Sequence, residues 1–146
     1  ALPTVTYGDQ ATPLIFKQGN TSGFELLSHS AALQSISMDI GNELVYRELV
    51  GGNQETLLTN RNITGSVQVE AMTLGTKDYF AAALAETTGN LTFVHGTTNG
   101  NKVTISSTKA DIGDVSYADM DGIQMLEIPY TLVPTNQNDE VSIVYS

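Results

Sequence analysis

From Ile63 the chain alternates. Ile63, Val67, Val69 and Ala71 face one way, and Thr64, Ser66, Gln68 and Glu70 the other, the period of a strand with one covered side. After MTLGT the period changes: Tyr79, Phe80, Ala83 and Leu84 recur at three- and four-residue spacing, which predicts a short helix over KDYFAAALAE with one apolar stripe that packs on a sheet. Thr76 is placed to cap this helix, Asp78 suits its first turn, and Gly89 lies just past its end. Elsewhere the pattern predicts strands at about 14–17, 24–27, 33–40, 44–49, 63–72, 91–95, 102–107, 123–133 and 140–145, divided by Gly, Asn and Asp turn signals. Asn99-Gly100 is the strongest hairpin signal, because a tight primed turn needs positive φ at its centre. In the 123–133 run Leu126, Ile128, Tyr130 and Leu132 share one face, with Met125, Glu127, Thr131 and Val133 on the other. Pro129 has no N–H to donate, so this strand is an edge, is bulged there, or is open on the Pro side.

The punctuation predicts a mainly β fold with one short α-helix, an antiparallel β-sandwich or barrel, as a single domain over residues 13–146. Residues 1–12, with Pro3 and Gly8, read as an N-terminal arm or linker. A mid-chain helix argues against a plain immunoglobulin-type sandwich.

Composition narrows the function. A chain of 146 residues buries roughly 68 to 70% of the surface its unfolded state exposes, enough for a core without staples. It has no Cys, which removes thiol catalysis, thiolate zinc sites and disulfides together. No apolar run approaches the ~20 residues of a membrane span, and ALPTVTYGDQ has neither a basic region nor an apolar signal core, so no membrane partner is expected. The absence of an initiator Met fits either Met removal or a piece of a longer protein. With 16 acidic against 6 basic residues and a net charge of −10, the cation cluster that nucleic-acid binders need is missing, and specific DNA binding is not expected.

Catalysis finds little support. Only His29 and His95 could act as neutral-pH bases, and neither stands beside a nucleophile motif. Ser28-His29-Ser30 reads as a turn, and alternation puts His95 on the face of Leu91 and Phe93 as a satisfied, half-buried ring. Asp111, Asp114, Asp119 and Asp121 crowd together, but aligning Gly122 with the glycine of a calcium loop puts Tyr117 and Ile128 where two essential carboxylates belong. The expectation is a solvated acidic turn, no metal, no cofactor and no enzyme activity. An acid-pair hydrolase would need two carboxylates across one cleft.

The run ITGSVQVEAMTLGTKDYFAAALAETTGNLTFVHGTTNGNKVT, then DIGDVSYADMDGIQMLEIPYTLVP and the closing DEVSIVYS, resembles the tail tube proteins of long-tailed bacteriophages with non-contractile tails. It is similar above all to the C-terminal domain of longer, two-domain tube proteins, and GFELLSHSAALQSISMDIGNELVYRELVGGNQE extends the likeness upstream. The resemblance implies a structural virion protein of the viral tail, assembled in the bacterial host cytoplasm. Its partners would be itself, as a ring-forming trimer or hexamer stacked into a tube, and other phage tail proteins. Viral DNA would pass through the acidic bore without specific binding. In such proteins a long loop reaches from one ring to the next, and here that loop is 41–62, GNELVYRELVGGNQETLLTNRN. The resemblance thus makes Arg47, Glu48, Glu55 and Arg61 inter-subunit ion partners and Leu57 and Leu58 apolar anchors. The plain alternative is an ordinary hairpin. The runner-up function is an immunoglobulin-like or carbohydrate-binding decoration domain on a phage tail, favoured by six Tyr and opposed by the absence of Trp.

Overall fold

The computed structural model describes residues 13–146; the expected arm at 1–12 lies outside them. The centre of the fold is the pairing of β5 (Ile63–Glu70) with β9 (Ile123–Leu132), which runs without a register break from Ile63 opposite Leu132 to Glu70 opposite Met125. The alternation read from both segments holds. Ile63, Val67 and Val69 of β5 and Leu126, Ile128, Tyr130 and Leu132 of β9 are all buried in one core.

Around this pair a single eight-stranded antiparallel sheet runs in the order β1 (Thr21–Leu26), β6 (Gly89–His95), β7 (Val103–Ile112), β9, β5 and β2 (Leu33–Asp39). Its two flanks curl toward each other in the manner of a sandwich, since Ile36 and Met38 of β2 line the same cavity as Leu91 and Phe93 of β6. The fold is therefore mainly antiparallel β with one short helix, as expected.

β7 changes partner along its length. Its first half pairs with β10 (Ser142–Tyr145) and its last three residues pair with β9. After Gly113 the chain continues down β9 as β8 (Ser116–Met120), and the two-residue turn Asp121-Gly122 returns it into β9. Asp121 and Gly122 have φ of 52° and 86°, so the primed hairpin turn is here. At Asn99-Gly100, by contrast, only Gly100 is left-handed, in a turn closed by Asn101 N–H donating to Thr98 O at 3.0 Å. The β6–β7 ladder closes at His95 opposite Val103, so residues 96–102 form a longer connection than a two-residue hairpin.

Pro129 sits where β7 has ended and β8 begins. Its carbonyl accepts from Gly113 N–H at 2.8 Å. A residue in a strand points its N and C=O to the same side, so the missing donor faces this gap while the β5 ladder stays whole. Of the three readings of Pro129, the strand is open on the Pro side and is not an edge.

The helix α1 (Tyr79–Leu84) lies against β7; Tyr79 is fully buried, its hydroxyl 3.4 Å from Leu26 O, and Phe80, Ala82 and Ala83 are partly covered. Three expectations need correction. Leu84 is 89% exposed, at the last position of the helix. The N-cap is Asp78, whose carboxylate accepts from Ala81 N–H at 2.8 Å, while Thr76 turns back to bond Thr73. At the C-terminus Glu86, at φ 49°, closes a Schellman turn through Thr87 N–H to Ala82 O and Glu86 N–H to Ala83 O, and Gly89 opens β6 instead. Two strands escaped the sequence reading: β8, and β4 (Glu55–Arg61), which pairs with β3 (Asn42–Arg47) outside the main sheet. Residues 14–17 form no strand; Phe16 folds over Phe93 with ring centroids 6.0 Å apart.

One contact sets the spacing of β2, β5 and β9. Gly65 stands opposite Tyr130, and the Tyr130 hydroxyl crosses β5 to donate to Ser37 O at 2.7 Å. A Cβ on Gly65 would lie 2.1 Å from Ser37 O and 2.6 Å from the Tyr130 hydroxyl. Gly65→Ala is therefore expected to cost about 1–3 kcal/mol by overpacking, whereas Gly75→Ala, with nothing within 4 Å, stays within about 0.5 kcal/mol of the parent; chemical denaturation of the two variants checks this. Burial pushes the phenols of Tyr79 and Tyr130 up to about 12. Both groups ionise more readily in the unfolded chain, so the stability they confer is complete below about pH 10 and falls between about pH 10 and 12. Tyr130→Phe should flatten that fall, as read from denaturation midpoints across the range.

Candidate functional site

The β3–β4 hairpin stands outside the main sheet and gives no residue to the core. Val45 lies opposite Leu57 and Arg47 opposite Glu55, with a bulge between Glu43 and Leu44 where Thr59 Oγ1 donates to Glu43 O at 3.2 Å. Every residue of β3 is exposed. Leu44 is 65% exposed, Tyr46 60%, Leu58 49%, and at the tip Val50 is fully open. Alternation puts Leu44, Tyr46 and Leu58 on one face of the ribbon, and Val45 and half-buried Leu57 on the other. Among the described residues no third strand joins it. An isolated two-stranded ribbon is marginal in water, so the arm carries an apolar surface whose cover is not supplied by the rest of the described chain.

The charged residues expected here as inter-subunit partners are engaged within the chain. Arg47 pairs with Glu55 across the hairpin, Glu48 accepts from Gln54 Nε2 at 2.7 Å, and Arg61 reaches Glu140 and Asn138 of the body. These bonds brace the arm, and Leu58 with its neighbours is the part left facing solvent. At the root the two strands come into van der Waals contact. Gly41, at φ 59°, lies so close to Asn62 that a Cβ would meet its carbonyl at 2.4 Å.

A second feature is the outer edge of β10. Lys102 and Ser146 exchange both backbone hydrogen bonds, so in an antiparallel ladder Val144 and Ser142 are also hydrogen-bonded to β7, while Ile143 and Tyr145 aim their N–H and C=O groups away from it. Among the described residues no strand takes up those groups. Ile143, Val144 and Tyr145 are exposed as well, so the edge is both unpaired and apolar, the condition under which strands add to one another.

Between the flanks of the sheet lies an apolar cavity of about 530 Å³, lined by Ile36, Met38, Phe93 and Ile105 and partly covered by Leu14 and Phe16. His95 stands at its side, stacked on Phe93. Nδ1 lies 2.9 Å from Thr21 Oγ1 and Nε2 3.1 Å from Leu14 O. A carbonyl only accepts, so Nε2 donates to it, while Nδ1 and the Thr21 hydroxyl share the second bond. Both nitrogens are thereby occupied in holding the 14–16 segment, the satisfied state expected from the sequence. His29 sits in a backbone bridge with Leu26, edge-on to Tyr79.

No protein-family model matches this chain, and no curated protein does. Among solved structures it is similar to a chain of the structure described as "Tail of empty GTA particle computed with helical refinement, C6 symmetry". The identity is 16%, the TM-score 0.43, and the match covers 80% of this chain and 83% of that one.

Asp119 accepts from Gly122 N–H at 3.3 Å in the β8–β9 turn. Asp139 accepts from the backbone of Asn136 and Thr135, and these bonds, that from Asn136 foremost, hold its carboxyl below its usual range. Among the described residues no three His, Asp or Glu side chains converge on a common point. The sequence missed the arm's second strand although its signal was present, two short runs, ELVY and ETLL, flanking Gly51-Gly52-Asn53. Without a core to cover it, the arm is expected to exchange its amide protons at least about 100-fold faster than β5 and β9, as hydrogen–deuterium exchange resolved by peptide will show.

Proposed function

We propose that this chain is a structural, self-assembling tube subunit of a phage tail, or the C-terminal domain of one, with no active site. The observation that carries the reading is the pairing of two incomplete surfaces on one domain: an apolar arm without cover and a strand edge without a partner. The tail-tube resemblance of the sequence supports it. In this reading β10 pairs laterally with an edge strand of the next subunit and closes a ring, and the arm seats Leu44, Tyr46 and Leu58 against a subunit of the ring above or below. The net charge of −10 repels a phosphate backbone, so DNA slides through the bore and does not adhere.

The two contacts are separable. Sedimentation velocity over a wide concentration range, with negative-stain images of the same samples, is expected to show rings and short stacks. Ile143→Pro removes an outward-facing N–H and leaves the β7 ladder intact; it should raise the concentration at which rings form by tenfold or more, about 1.4 kcal/mol. Leu44→Asp with Leu58→Asp should leave rings but no stacks. A parent chain that stays monomeric at the highest concentration overturns the proposal, and glycan binding by that monomer would establish the decoration-domain reading in its place.

A further inference from the structure

Among the described residues, every side-chain hydrogen bond from the arm to the body leaves from one residue, Arg61. It is the last residue of β4, and its Nη2 reaches both Glu140 and Asn138 Oδ1, the latter at 3.1 Å. Unlike the Arg47–Glu55 pair, whose side chains are 45% and 38% exposed, this pair is 24% and 12% exposed. A partly desolvated pair is held more firmly than one in open water, where ion pairs contribute little. Arg61 Nε is buried without a partner, a cost that the guanidinium accepts in exchange for the position of its outer nitrogens. The acceptor side is a hydrogen-bonded turn: Asp139 ties back to Thr135 and Asn136, and Asn138 is left-handed at φ 62°. Two residues beyond Glu140, β10 begins.

We propose that Arg61 is a positioning residue, a latch that fixes the direction in which the arm leaves the body and fastens it to the segment that feeds the β10 edge. This rests on the proposed tube reading for its purpose, since an arm that must seat on another subunit loses less freedom on docking when its direction is already set. It also places the arm and the lateral edge on one support, so that strand pairing at β10 steadies Glu140 and, through Arg61, the arm.

The chain has no Cys, so spin labels at Asn53→Cys on the arm and Asn99→Cys on the body report their separation without background. Dilute, monomeric protein is measured by double electron–electron resonance in four forms: the labelled parent, Arg61→Gln, Glu140→Gln, and the charge swap Arg61→Glu with Glu140→Arg. The latch requires a narrow distance distribution in the parent, at least about twofold broader distributions in both single variants, and recovery in the swap, all at unchanged thermal midpoints of the body. Arg61→Gln should also raise the stacking concentration about tenfold and the swap should restore it. A distribution equally narrow in Arg61→Gln overturns the latch, as does a swap that folds but stays broad. Because the distance is read on monomers, a latch that passes this test in a chain that never associates leaves the latch standing and overturns the tube reading.

Discussion

Everything in the body leans on the unbroken ladder between β5 and β9. It supplies the longest uninterrupted register in the sheet and most of the largest buried side chains, and it positions both flanks. β2 is set against β5 through the Tyr130 hydroxyl on Ser37 O, and β7 and β8 share the far side of β9. A proline inside such a strand is normally excluded. It is tolerated here because the one backbone group it lacks faces the gap where β7 hands over to β8, and Gly113, with no side chain to crowd the ring, closes that gap by donating to the Pro129 carbonyl.

Beside this close-packed body stands an arm with the opposite character. Its apolar residues are as numerous as those of a core strand, yet Leu44, Tyr46, Leu49, Val50 and Leu58 all face solvent. Exposed apolar residues scattered singly are ordinary; gathered on one projecting ribbon they mark a surface for contact. The unpaired edge of β10 makes the same demand in backbone hydrogen bonds. The domain therefore combines two kinds of unmet valence, one of side chains and one of main chain, pointing in separable directions.

Three of the six cations of this acidic chain serve its architecture. Arg47 braces the hairpin, Arg61 joins its root to the body, and Lys77 donates to Leu27 O at 2.7 Å beside the Tyr79 ring. With these engaged locally, the acidic excess is left to set the long-range field, which is negative and screened within about 8 Å at physiological salt. Repulsion between chains of this charge is therefore strongest at low salt.

What the sequence determined by itself was periodic: the strand faces of Ile63 to Val69 and Leu126 to Leu132, the helix after Gly75, the mainly β class and the satisfied state of His95. Those follow from spacing, because a strand or helix repeats its covered face at a fixed interval whatever it packs against. The helix ends were less legible, since Asp78 and Thr76 are both competent caps and Glu86 did the work that glycine usually does. Tertiary structure decided the rest. That Pro129 lies in a central strand depends on where β7 stops, at Ile112, 17 residues away in sequence. That 41–62 is a hairpin arm with ion pairs inside the chain depends on β3 and β4 finding each other and on Glu140 lying within reach of Arg61. These are pairings between segments remote along the chain, and local pattern carries no record of which partner a strand edge or a charged side chain will meet.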